Sequence, residues 1–173
     1  GYYPTITTIT ALDLTDPESQ TSTCFAGNSS SYYVTTDAMY ITDKVYSNQL
    51  RSEEGSERGK SLDGNFTIIH KFALTEKGAQ YRATGSVPGL LGWKNPAFRM
   101  GAKDGKLGVI TTQRPWSTRD YIHKLYILAE SQDTSEYSLE IETELPNKQH
   151  PDRIGKINED IYAARFIGDR LYL

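Results

Sequence analysis

Ile9-Thr-Ala-Leu-Asp-Leu14 returns as Ile69-His-Lys-Phe-Ala-Leu74 and again as Ile122-His-Lys-Leu-Tyr-Ile127, and these three stretches decide the fold. They lie 60 and then 53 residues apart. A motif that returns at such a period marks a repeat architecture, in which one supersecondary unit is copied along the chain. A second element returns with it. Thr36-Asp-Ala-Met-Tyr-Ile-Thr42, Lys103-Asp-Gly-Lys-Leu-Gly-Val109 and Ile167-Gly-Asp-Arg-Leu-Tyr-Leu173 each pair an Asp or Gly turn with an alternating run. Such turn residues tolerate unusual backbone angles, and period-two flanks complete a hairpin signal.

Working outward, each turn is preceded by another extended run: Tyr32-Tyr-Val-Thr35, Ala97-Phe-Arg-Met-Gly101 and Tyr162-Ala-Ala-Arg-Phe-Ile167. The strands therefore fall into a cycle of four, a to d. Strands a and b form the hairpin, c is the repeated six-residue motif, and d follows a further turn. Gln80–Val87 and Tyr137–Glu144 are copies of d. In the latter, Leu139 and Ile141 alternate with Glu140 and Glu142. The chain reads as strands c and d over 5–26, complete units over 31–88 and 97–145, and strands a and b over 160–173. No window of useful length carries apolar residues at helical spacing.

Four antiparallel strands repeated at this period describe a β-propeller. The expected fold is all-β, a single partial propeller over 1–173. A β-sandwich is the alternative, but it needs no internal repeat. Composition agrees. The chain has 173 residues, 37% of them hydrophobic, and 12 tyrosines, a residue type that suits pleated, half-buried surfaces. The net charge of −3 gives no reason to expect nucleic acid, and no stretch is long and apolar enough to span a membrane. Cys24 stands alone, so no internal disulfide framework or cysteine metal cluster is expected.

Several of these segments together resemble the β-propeller domain of a family of secreted prokaryotic proteins, described as distantly related to WD40 repeats. The segments are residues 9–14, 33–42, 69–74, Ala83-Thr-Gly-Ser-Val-Pro-Gly89 and Ala163–Leu173. The resemblance spans almost the whole chain and rests on order and spacing. It implies a secreted or cell-envelope location and a larger parent protein. It supplies no enzymatic activity or ligand, and the Trp-Asp and Gly-His signatures of WD40 blades are absent. Gly1-Tyr-Tyr-Pro4 at one end and a strand-like Gly168–Leu173 at the other also read as a piece of a longer chain.

The titratable residues support no catalytic assignment. His70 and His123 occupy the same place in two motif copies, which puts them on different blades, and one His per blade is a poor ligand set. His150 lies in a polar loop. Asp37, Asp104 and Asp169 recur at the a–b turn, where Asp is a standard turn former, and no calcium-loop pattern surrounds them. There is no Gly-x-Ser-x-Gly elbow and no phosphate-binding glycine loop. Asn28 and Asn65 fit the glycosylation pattern but read as polar loop residues. No cofactor and no metal are expected.

Loops offer the better candidates. Because strand direction alternates, the d-to-a and b-to-c connections emerge on one face. Trp93 and Lys94 lie in the first kind, and Arg114, Trp116 and Arg119 in the second. Exposed Trp and Arg are the residue types that dominate binding hot spots. The competing reading packs both Trp side chains between blades. The long insertion from Ser47 to Gly64 belongs to the same face and has the composition of a solvated segment. Arg99 and Arg165, on strands a, are candidates to line a central channel.

These features predict a non-enzymatic scaffold that recognises a protein, peptide or glycan through its loops. The alternative is part of an enzyme with its site at the centre of a complete ring. Three units fall short of the usual four to eight blades. The terminal a–b pair complements the initial c–d pair, so a homodimer joined through edge strands would close a six-bladed ring.

Overall fold

A computed structural model describes residues 5–46, 64–92, 95–115, 120–133 and 136–173. These residues form twelve strands: β1 Ile6–Leu12, β2 Gln20–Ala26, β3 Ser31–Val34, β4 Ala38–Val45, β5 Phe66–Thr75, β6 Gly78–Pro88, β7 Met100–Lys103, β8 Lys106–Gln113, β9 Ile122–Glu130, β10 Leu139–Leu145, β11 Arg165–Ile167 and β12 Arg170–Tyr172. They make two antiparallel four-stranded sheets, β3-β4-β5-β6 and β7-β8-β9-β10. Two two-stranded sheets, β1-β2 and β11-β12, complete the set. The all-β propeller architecture expected from the repeat is present, and the ring is not closed. No helix among the described residues is long and apolar enough to cross a membrane.

The sheets stack face to face in chain order. Phe25 and Ile9 of the first pair pack on Ile41, Phe72 and Ala79 of the β3–β6 sheet. The opposite face of that sheet, through Tyr40, Ile69, Ala83 and Val87, meets Val109, Tyr126, Leu128 and Leu139. Ile110 and Leu125, on the far face of the β7–β10 sheet, hold Ile161, Ala164, Phe166 and Leu171. Each inner sheet is apolar on both faces because each is covered twice, unlike an antiparallel sheet with one face in water. Lys71 crosses between the inner sheets to Glu130, 2.9 Å away, where Arg82 also binds at 2.8 Å.

Two local features fix the blade geometry. Asp104 and Gly105 both have positive φ, 51° and 77°, which is the geometry of a two-residue hairpin turn matched to strand twist. Gly101 and Gly108 face each other across β7 and β8, and Phe166 lies flat on them. A Cβ at either glycine would enter the Phe166 ring.

The structure departs from the sequence reading in three places. Strand a of the second complete unit begins at Met100, because Pro96–Arg99 form a short 3-10 turn led by Asn95 in left-handed geometry. Strand a of the last unit is only Arg165–Ile167, and residues 146–164 cross as an irregular segment. His70 and His123 are not equivalent. His70 lies opposite Ile41, whereas His123 lies opposite Thr112, three positions further along the b strand once the a–b turns are superposed. The Ile-His-Lys triplet has slipped by three residues, and an odd slip exchanges the faces. His70 therefore turns toward Phe25, and His123 turns the other way, toward Glu159.

Candidate functional site

On the face that carries the d-to-a and b-to-c connections, three described segments converge: 89–99 without Trp93 and Lys94, the ends of the 114–121 loop, and 146–164. Polar side chains from the sheets and from the connections themselves hold them together. Arg99, just before β7, is 1% exposed. It donates to Thr112 Oγ1 at 2.7 Å, to Asp160 Oδ1 at 3.1 Å and to the Ile161 carbonyl. Burial pulls its pKa below the ordinary value, while the Asp160 carboxylate opposes that shift.

Thr112 passes the contact to His123, whose Nδ1 is 2.9 Å from Thr112 Oγ1. His123 Nε2 is 2.8 Å from the Glu159 carbonyl, which only accepts. The neutral ring is thus protonated on Nε2, and Thr112 donates to Nδ1. The Tyr121 ring stacks on His123, with centroids 6.2 Å apart and planes 4° from parallel. The Arg114 guanidinium lies 5.0 Å from the Tyr121 centroid, a cation–π distance. Arg114, Tyr121 and His123 therefore form a layered column from the loop into the sheet.

A second brace runs alongside. Arg153 Nη1 donates to Asp120 Oδ2 at 2.9 Å, and its Nη2 reaches the Tyr121 and Lys156 carbonyls. Asp120 Oδ1 also accepts the backbone N–H of Asn158 at 2.7 Å and of Tyr121 at 2.8 Å. Arg153 first, then these amides, hold the Asp120 carboxyl down to about 2. Asp120 and Tyr121, at the end of the b-to-c loop, are thereby fastened to the 146–164 segment.

Of the residues singled out from sequence, Trp93, Lys94, Trp116 and Arg119 lie outside the described residues, as does the 47–64 insertion except Gly64. Arg114 stands at the top of the column. Arg165 is exposed at the start of β11. Arg99, expected at a channel lining, is instead buried and committed to Asp160 and Ile161, because a 3-10 turn rather than a strand precedes Met100 and turns the side chain inward. His150 is exposed, and its backbone N–H donates to Asn147 Oδ1. The three turn aspartates stay at hairpin turns. Among the described residues, no three His, Cys, Asp or Glu side chains gather as a metal site.

Sequence reading missed Asp120, His123, Arg153 and Asp160 as a group. Asp120 and Arg153 are 33 residues apart in a region without periodicity, so no spacing signals their pairing.

A stacked series of four-stranded antiparallel sheets, with loops gathered on one face, defines a β-propeller protein. The chain matches the family model of the beta propeller domain over residues 2–173 and belongs to that family. No curated protein and no solved structure matches it.

Proposed function

We propose that this chain is a non-enzymatic interaction scaffold of a secreted or cell-envelope protein, and that it recognises a protein, peptide or glycan through the loop face. The observation that carries this reading is the brace of that face. Arg153–Asp120 and Arg99–Thr112–His123 tie the described parts of two connections to the sheets, so that part of the face is organised before any ligand arrives. Preorganisation of this kind lowers the entropy cost of binding. Arg114 is held on Tyr121 at the edge of that surface, and Trp93, Lys94, Trp116 and Arg119 are the other residues assigned to recognition. A second copy is also a partner in this reading, through edge strands that close a six-bladed ring.

Selection of a random peptide library and a glycan array on the intact chain, with counter-selection on an Arg114→Ala/Trp116→Ala variant, tests the loop face. Ligands that lose at least tenfold in affinity on the variant support it. Ligands that bind the variant equally well overturn it.

A further inference from the structure

We infer that the outer rim carries a separate recognition site, a shelf formed by Tyr81 and Tyr137 that takes the apolar face of an uncharged sugar ring. The shelf lies where β6, the fourth strand of its sheet, meets the connection that leads into β10, the fourth strand of the next. Both sheets hold four strands, so the pair sits between complete blades. It uses none of the residues assigned to the loop face.

Two local features build it. The c-to-d connection between the paired residues Thr75 and Gly78 has two residues, Glu76 and Lys77. Its counterpart between Ser131 and Ser138 has six, 132–137. The longer connection carries Tyr137 back onto the neighbouring sheet, where its carbonyl accepts the Thr84 N–H at 3.0 Å. Thr84 and Ser138 form a parallel bridge at the same place. The second feature is a β-bulge. In β6 the register passes from Phe72 opposite Tyr81 to Lys71 opposite Ala83, which leaves Arg82 as the extra residue. A bulge re-aims side chains and breaks the regular strand edge. β10 carries the same bulge at Glu142, with Ile141 in the place of Tyr81. The bulge therefore belongs to the repeat, and the tyrosine pair is particular to this junction.

The shelf is held rigidly and left open. The Tyr81 ring meets Phe72 edge-on, with centroids 5.7 Å apart and planes at 71°. Its hydroxyl is 2.7 Å from Thr84 Oγ1, which is also 2.7 Å from His70 Nδ1. The Tyr137 ring lies 6.0 Å from that of Tyr81, tilted by 38°. Tyr137 is 66% exposed and Tyr81 41%. Polar groups border the pair. Glu130 takes Arg82 on one carboxylate oxygen at 2.8 Å and Lys71 on the other at 2.9 Å, so both cations are already matched. Ser138 Oγ, next to Tyr137, donates to Glu140 Oε1 at 3.3 Å. A rigid aromatic surface with hydrogen-bonding groups at its edge and no surplus positive charge fits a ligand with an apolar face and a rim of uncharged hydroxyls. A pyranose ring has that form. A peptide fits less well on two counts. A proline ring wedged between two aromatic faces needs them about 7–8 Å apart, two contacts of van der Waals length, and these rings are closer. A peptide strand added to β6 needs a regular free edge, but the Thr84 N–H is already taken and the bulge at Arg82 interrupts the edge.

An array of uncharged oligosaccharides, read on the intact chain and on Tyr137→Ala, tests the shelf. The Tyr137 side chain is open and its bond to Thr84 runs through the backbone, so the substitution is expected to leave the circular dichroism spectrum and the urea midpoint unchanged. The expected result is at least one neutral glycan whose affinity, titrated by calorimetry, falls at least tenfold on Tyr137→Ala. Tyr137→Trp, which restores an aromatic face, is expected to recover it. The same glycan is expected to bind the Arg114→Ala/Trp116→Ala variant as it binds the parent, which separates the shelf from the loop face. No neutral glycan bound by the parent, or binding that Tyr137→Ala leaves unchanged, overturns the inference. Binding lost on the loop-face variant and kept on Tyr137→Ala also overturns it and assigns the glycan to the loops. Decaproline that binds with the same dependence on Tyr137, where no glycan does, replaces the sugar with a peptide and overturns the inference as stated.

Discussion

Arg99 donates from a buried position to Thr112, Asp160 and the Ile161 carbonyl, so truncating its guanidinium strands a carbonyl inside the fold. Arg99→Met is expected to lower unfolding free energy by about 2–3 kcal/mol, the scale of buried hydrogen bonds from a charged donor. Equilibrium denaturation in urea measures it, and a loss below about 0.5 kcal/mol contradicts the assigned role. Tyr126 is the converse case. Its hydroxyl is buried with no hydrogen-bond partner among the described residues, and burial first, then the Glu144 charge, pushes its pKa up to about 12. Tyr126→Phe removes an unsatisfied polar atom and keeps the ring, so it is expected to raise stability by about 1 kcal/mol. The same denaturation experiment reads the sign. Neither role is visible in the sequence. Arg99 reads from sequence as a strand residue lining a channel, and a Tyr in an alternating run reads as half-buried.

At the scale of elements, the braces make separate pH predictions. Asp120 has its carboxyl held near 2, below the ordinary 3.8, by Arg153 and two backbone amides. A depressed carboxylate stabilises the fold above its unfolded pKa and loses that contribution as pH falls through its folded pKa. The clasp on residues 146–164 is therefore intact above about pH 4 and released between about 4 and 2. Hydrogen-exchange protection of the Asn158 and Tyr121 amides, taken relative to the intrinsic rate at each pH, is expected to fall in that window, and Asp120→Ala is expected to lack it already at neutral pH. Exchange that is unchanged in the variant contradicts the clasp. Glu130 acts between the sheets. Burial works to raise its carboxyl, but Arg82 and Lys71 outweigh burial and hold it below 4.5. Its contribution is likewise present above that value and fades in acid. Glu130→Gln is expected to flatten the stability profile below about pH 4.5, and a profile as steep as the parent's rules the contact out as its source.

Strand identity was largely legible at this scale, whereas register was only partly so. Asp and Gly turns mark the a–b hairpins because few other residues accept the required backbone angles. The Ile-His-Lys copies misled on β9. That strand is apolar on both faces, Leu125 and Ile127 on one and Tyr126 and Leu128 on the other, so alternation gives no cue to which way His123 points. The 146–164 segment had no periodic signal at all. Its conformation is set by Arg99, His123 and Asp120, which reach it from distant parts of the chain.

For the molecule as a whole, the two four-stranded sheets are each covered on both faces by the sheets that precede and follow them in the chain. Glycine platforms set the spacing of the stack. Gly101→Ala or Gly108→Ala forces Phe166 off the β7–β10 sheet and is expected to cost about 1–3 kcal/mol, with β11–β12 the first part to open. Loss of hydrogen-exchange protection confined to Phe166 and Leu171 checks this, and uniform loss across all sheets contradicts it.

Light scattering of the unmodified chain across a dilution series tests the central claim most directly. Closure of the ring by a second copy, as proposed, predicts a dimer of twice the 19.4 kDa chain mass that dissociates on dilution without loss of β-structure. A monomer at every concentration contradicts closure by a second copy.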